Sequence, residues 1–119
     1  GDGGAVLWPM LVGMARAKQY LFTGDWITGV EAERIGLVNA ALPTDEVLPA
    51  AMAFAERMAK GAPMAIRWTK YTMNKLIRDQ VNLALDTGMF LEAATMGTND
   101  LKEAATAFLE KRPADFKGN

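Results

Sequence analysis

Apolar residues in this 119-residue chain recur at steps of three and four, and glycine or proline cuts each run. That spacing sets one apolar stripe on each of a series of helices and leaves little for a sheet. Met14, Ala17, Lys18 and Leu21 share a face within a helical stretch over residues 4–22. Pro9 fits a first turn there, and Gly13 divides the stretch in two. Gly24 follows as a left-handed cap. Val47, Ala51, Phe54 and Met58 mark a helix from Thr44 to Lys60, ended by Gly61, with Pro49 near its start. Pro63 opens the next, with Ile66, Lys70, Met73 and Ile77 on one side. Asp79 to Thr95 reads as a further helix, lined by Val81, Leu85, Gly88, Leu91 and Thr95 and ended by Gly97. Leu101, Ala105 and Phe108 form the stripe of a last helix, which Pro113 stops.

Two capping signals punctuate this series. Thr28-Gly29-Val30-Glu31 matches a capping box, in which Thr28 accepts from an orphan N–H and Glu31 reaches back to the N–H of Thr28. The helix it opens is short, because Gly36 stops it. Asp100 and Glu103 give a weaker second signal. Leu37 to Leu42 is apolar and too short for a helix, so an extended piece or short strand is expected there, closing on Pro43. The chain should be mostly α, with no sheet of three or more strands.

Composition removes several function classes. There is no cysteine and no histidine. A disulfide framework, a Cys/His zinc site and a Ser-His-Asp machine are therefore excluded within this chain, and no metal is expected. The net charge of −1 gives no reason to expect nucleic acid or an anionic membrane as partner. No apolar run approaches the roughly 20 residues of a membrane span. Ala5 to Phe22 comes nearest, and Arg16 and Lys18 interrupt it. No signal peptide is evident, and a cysteine-free chain suits the cytoplasm. The opening Gly1-Asp2-Gly3-Gly4 also fits a cleavage scar or tail. Half of the residues are apolar, yet short helices have limited room to hide them. The helices from Thr44 onward are expected to leave an apolar surface that another subunit or another segment covers.

Three segments, in order, resemble the crotonase superfamily, the enoyl-CoA hydratase/isomerase family. The first is Gly1-Asp2-Gly3-Gly4 with Leu11-Val12-Gly13 and Ala15-Arg16-Ala17, similar to that family's Pro-Gly-x-Gly-Gly turn and the helix after it. The second is the most specific: Leu21-Phe22-Thr23-Gly24-Asp25-Trp26-Ile27, then Glu31-Ala32-Glu33-Arg34-Ile35-Gly36-Leu37-Val38-Asn39. The third is Ala107-Phe108-Leu109-Glu110-Lys111-Arg112-Pro113-Ala114-Asp115-Phe116, similar to the family's C-terminal pattern. The likeness runs over essentially the whole chain.

The resemblance implies a helical C-terminal region of an α/β fold built as a spiral of ββα units. Residues 1–43 would end the core, and residues 44–119 would form a C-terminal trimerisation and lid region. It implies an acyl-CoA-processing parent of fatty acid metabolism, assembled as a trimer or hexamer and needing no cofactor beyond its coenzyme A thioester substrate. Two backbone N–H groups of such enzymes hold the thioester oxygen as an enolate develops. In the hydratases those amides and the catalytic carboxylates precede the glycine turn, so this chain alone should be inactive. Gly1 matches the first glycine of that turn, beside the water site. Asp2 has two readings, a carboxylate facing the acyl pocket or an N-terminal helix cap. Phe108 and Lys111 match positions that contact the adenine and a phosphate of CoA, often across a subunit boundary. On the residues alone, Phe108 reads equally as core and Lys111 as a solvated charge. Trp8, Trp26 and Trp68 are read as core or interface. Ala5-Val6-Leu7-Trp8 stands where hydratases show Thr or Ser and then x-Arg-Leu, which leaves isomerisation, decarboxylation and dehalogenation open beside hydration. A non-enzymatic helical interaction module is the competing reading, and the glycine turn argues against it.

Overall fold

The computed structural model describes residues 3–119. They hold six helices: α1 Gly4–Val12, α2 Met14–Thr23, α3 Gly29–Arg34, α4 Thr44–Ala59, α5 Pro63–Thr95 and α6 Asn99–Glu110. No strand occurs among the described residues. The glycine stops place most of these ends. Gly13 breaks α1 from α2, and the Gly24 N–H donates to the Tyr20 carbonyl at 2.9 Å in the expected left-handed cap.

Three expectations change. Pro9 lies inside α1 rather than in its first turn, and Pro49 lies equally deep in α4. Each helix goes without one backbone hydrogen bond there. The helices expected over 63–77 and 79–95 are one, α5, of 33 residues. Neither glycine nor proline falls between Pro63 and Gly88, and Asp79 caps nothing in mid-helix. A Cβ at Gly88 would meet nothing within 4 Å, so this glycine weakens the helix without breaking it. Leu37 to Leu42 is not a strand but a turn strapped to α3. The Leu37 N–H donates to the Ala32 carbonyl at 2.8 Å, and the Ala41 N–H donates to the Glu33 carboxylate at 3.1 Å.

The buried core is small and sits at the N-terminal end. Val12, Ala17 and Ile35 form it, with Trp8, Tyr20, Ile27 and Leu37 packed around them. The Trp8 and Tyr20 rings lie tilted at 6.0 Å. Helix α1 packs on α2 and on α5. Trp8 thus packs against the core, and Trp26, fully exposed, and Trp68, largely so, are left to the interface reading.

Nothing in α4 or α5 is buried. A compact monomer of this mass exposes about 6,300 Å², but this chain exposes 9798 Å². Its radius of gyration is 19.0 Å, against about 13.5 Å for a compact domain of equal length. At 1.5 Å per residue α5 alone runs about 50 Å, close to the longest dimension of 55 Å. No helix among the described residues is long and apolar enough to cross a membrane.

Candidate functional site

Helix α6 and the tail after it carry the candidate site. Thr98 starts the helix: its Oγ1 accepts from the Leu101 N–H at 3.2 Å and donates to the Thr95 carbonyl at 2.7 Å. The true cap is thus Thr98, and Asp100 and Glu103 do other work. They bind the returning tail. Asp100 accepts from the N–H groups of Lys117 and Gly118, both at 2.8 Å, and Glu103 accepts from the Asp115 N–H at 2.9 Å. Residues 113–119 therefore run back along the face of α6 that carries Asp100, Glu103 and Ala107. Ala107 is buried on that helix. The expected stripe of Leu101 and Phe108 lies open instead, with Phe108 82% exposed.

The end of α6 is a tight hydrogen-bonded turn. The Arg112 N–H donates to the Ala107 carbonyl at 3.0 Å, and the Lys111 N–H donates to the Phe108 carbonyl at 3.3 Å. These are the two bonds of a Schellman motif, which wants a left-handed residue after the helix. Lys111 is that residue, at φ 54°, ψ 40°, the one non-glycine of positive φ among the described residues. An L-residue costs about 1–2 kcal/mol there. Helix α3 ends in the same pattern with the usual chemistry: Gly36, at φ 82°, takes the left-handed place and Leu37 follows it.

At α6 the place of Leu37 falls to Arg112, held by charge. Its guanidinium forks onto both Glu103 oxygens, at 2.5 and 2.9 Å. Its Nε donates to Glu110 at 2.6 Å, and Nη1 also donates to the Pro113 carbonyl at 3.1 Å. Arg112 and then the Asp115 N–H bring the Glu103 carboxyl down to about 2. Glu103, followed by Glu110, raises the Arg112 pKa.

Phe108 and Lys111 thus come to the same end of α6, both exposed. They are not aligned as two turns of one helix, because Lys111 has already left it. The Lys111 ammonium makes no ion pair among the described residues. Gly1 and Asp2 lie outside the described residues. No group of three or more acidic, histidine or cysteine side chains that could hold a metal occurs among the described residues. The sequence reading missed Glu103 and Arg112 as a pair; nine residues separate them, and only the tail's reversal joins them.

The family described as enoyl-CoA hydratase/isomerase matches residues 1–119. The chain belongs to that family. It is 41% identical over 120 residues to the crotonyl-CoA hydratase of Syntrophomonas wolfei, covering 98% of this chain and 45% of that protein. It is 37% identical over 116 residues to the short-chain-enoyl-CoA hydratase of Clostridium acetobutylicum, covering 94% of this chain and 43% of that one. An enoyl-CoA hydratase/isomerase structure from Pseudoalteromonas atlantica matches 96% of this chain with 46% of its own, at TM-score 0.84 and 25% identity. An enoyl-CoA hydratase structure from Bacillus anthracis matches all of this chain with 46% of its own, at TM-score 0.62 and 32% identity. The chain therefore spans less than half the length of these relatives. It is a helical portion of a crotonase fold, and the resemblance read from three segments holds along its whole length.

Proposed function

We propose that this chain is the CoA-gripping helical portion of a cytoplasmic enzyme that acts on an acyl-CoA thioester. The observation that carries the reading is the family match over residues 1–119. In that enzyme the thioester oxygen is held by preorganised N–H groups as an enolate develops, and carboxylates move the protons. Those groups belong to the part of the family fold outside this chain. Residues 1–43 close the core, and residues 44–119 form the lid and the contact between subunits of a trimer or hexamer.

Within this chain Phe108 stacks on the adenine of CoA and Lys111 meets a phosphate, across a subunit boundary. CoA presents a flat base and several negative charges, so its site needs an open aromatic face and a free cation. Both are present and exposed at the end of α6. The test is CoA affinity in the full-length enzyme. Phe108→Ala should weaken binding at all salt concentrations, by about 5- to 150-fold for the loss of a stacked base. Lys111→Ala should weaken it by up to about fivefold, at low salt only, because exposed charge pairs are screened. Unchanged melting temperature separates lost contact from damaged packing. If both variants keep wild-type affinity at low salt, the assignment is wrong.

A further inference from the structure

We infer that Glu103 and Arg112 are positioning residues for Lys111: their forked ion pair holds the left-handed turn that aims the lysine at its phosphate. The inference rests on the reading of Lys111 as a CoA contact. It starts from a departure visible within the molecule. The turn after α3 is closed by Gly36 and Leu37, a residue that tolerates positive φ followed by an apolar one. The turn after α6 has the same two hydrogen bonds but places Lys111 and Arg112 in those positions. Neither local preference favours the geometry, so something else must fix it. Glu103 does so from two turns back, taking both ends of the Arg112 fork at 2.5 and 2.9 Å. The same carboxylate takes the Asp115 N–H, which ties the tail to the clamp.

Arg112 is the less available cation for a phosphate. Four of its five N–H donors are taken, by Glu103, Glu110 and the Pro113 carbonyl. Lys111, next to it, makes no such ion pair among the described residues. The pair therefore divides the work: the arginine fixes the backbone, and the lysine is left for an anion. A glycine in place of Lys111 would suit the turn and supply no charge, which is why a strained lysine at this position points to use.

Simple electrostatics predicts the opposite sign, and this makes the idea testable. Glu103 is an anion on the helix that ends at the proposed phosphate site, so removing its charge should if anything tighten CoA binding if charge alone mattered. Positioning predicts weaker binding. The experiment measures affinity for coenzyme A by calorimetry in the full-length enzyme, at low and high ionic strength. The variants are Glu103→Gln and Arg112→Lys, each with Lys111 and in a Lys111→Ala background. Arg112→Lys keeps the charge and loses the fork.

With Lys111 present, both variants should weaken binding about two- to fivefold at low salt and leave high-salt affinity unchanged. With Lys111→Ala they should have no further effect, since they act through the same side chain. KM should rise without a change in kcat, because the grip is equal in ground and transition states. Equal losses in both backgrounds, or tighter binding by Glu103→Gln, would overturn the inference. A Lys111→Ala enzyme with unchanged affinity at low salt overturns the assignment of Lys111 to CoA and this inference together. A Lys111→Ala loss with silent Glu103→Gln and Arg112→Lys overturns this inference alone.

Discussion

Glu103 is the side chain whose ionisation is most tightly bound to its place in the fold. Its carboxyl is lowered to about 2, by the Arg112 fork first and the Asp115 N–H second. A group lowered by folding contributes stability while it is ionised in both states. That contribution is complete above the ordinary carboxyl value of 4.5 and is lost as pH falls from there toward about 2. Solution NMR of the full-length protein should find the Glu103 carboxyl still ionised near pH 4 and the Asp115 amide slow to exchange. In Glu103→Gln that amide should exchange faster at neutral pH. A Glu103 carboxyl titrating near 4.5 would mean that the clamp is not formed in solution. Glu31 is lowered too, chiefly by the Arg34 side chain that takes both its oxygens at 2.6 Å. That pair explains why Glu31 does not reach back to the Thr28 N–H as a capping box would have it.

Helix α3 shows how much of an element is legible in sequence. Thr28 caps it, with Oγ1 accepting from the Glu31 N–H at 3.2 Å. Thr28→Ala should therefore cost about 1 kcal/mol, seen as a lower melting temperature of the full-length protein, and Thr28→Ser should recover most of it. Equal melting of Thr28→Ala and wild type would show that the cap contributes nothing measurable. Starts and stops of this kind are local chemistry, so Thr28, Gly13, Gly24 and Gly36 were readable from the residues. What needed the fold was non-local. Asp79 looked like a start because acidic residues favour first turns, but α5 runs through it without a break. Leu37 to Leu42 reads as an extended piece or short strand because it is apolar and short, but the N–H groups of Leu37, Val38 and Ala41 go to α3. Phe108 and Lys111 are candidates only through the family pattern, and the Glu103–Arg112 clamp was not legible at all, since nothing local announces that the tail turns back on α6.

The whole molecule is defined by what its long helices leave uncovered. Leu83, Phe90 and Leu48 are each about 70% exposed on α5 and α4, and Trp68 65%. Apolar patches above a few hundred Å² mark interfaces in soluble proteins, and these side chains lie on a chain whose total surface exceeds that of a compact monomer by about 3,500 Å². The small core around Val12, Ala17 and Ile35 cannot organise α4 and α5, because it touches only the N-terminal helices and, through α1, the middle of α5. On the proposed function the rest of the family fold or neighbouring subunits cover those faces. The 119-residue chain by itself should therefore associate in sedimentation and bind a dye for exposed apolar surface, and it should not hydrate crotonyl-CoA above a buffer control. On the proposed function the oxyanion donors, each worth about 10²–10³ in rate, are not supplied by this chain, while association is expected from surface alone. A monodisperse, dye-silent monomer would mean that α4 and α5 fold onto each other in solution and that the open faces are not interfaces.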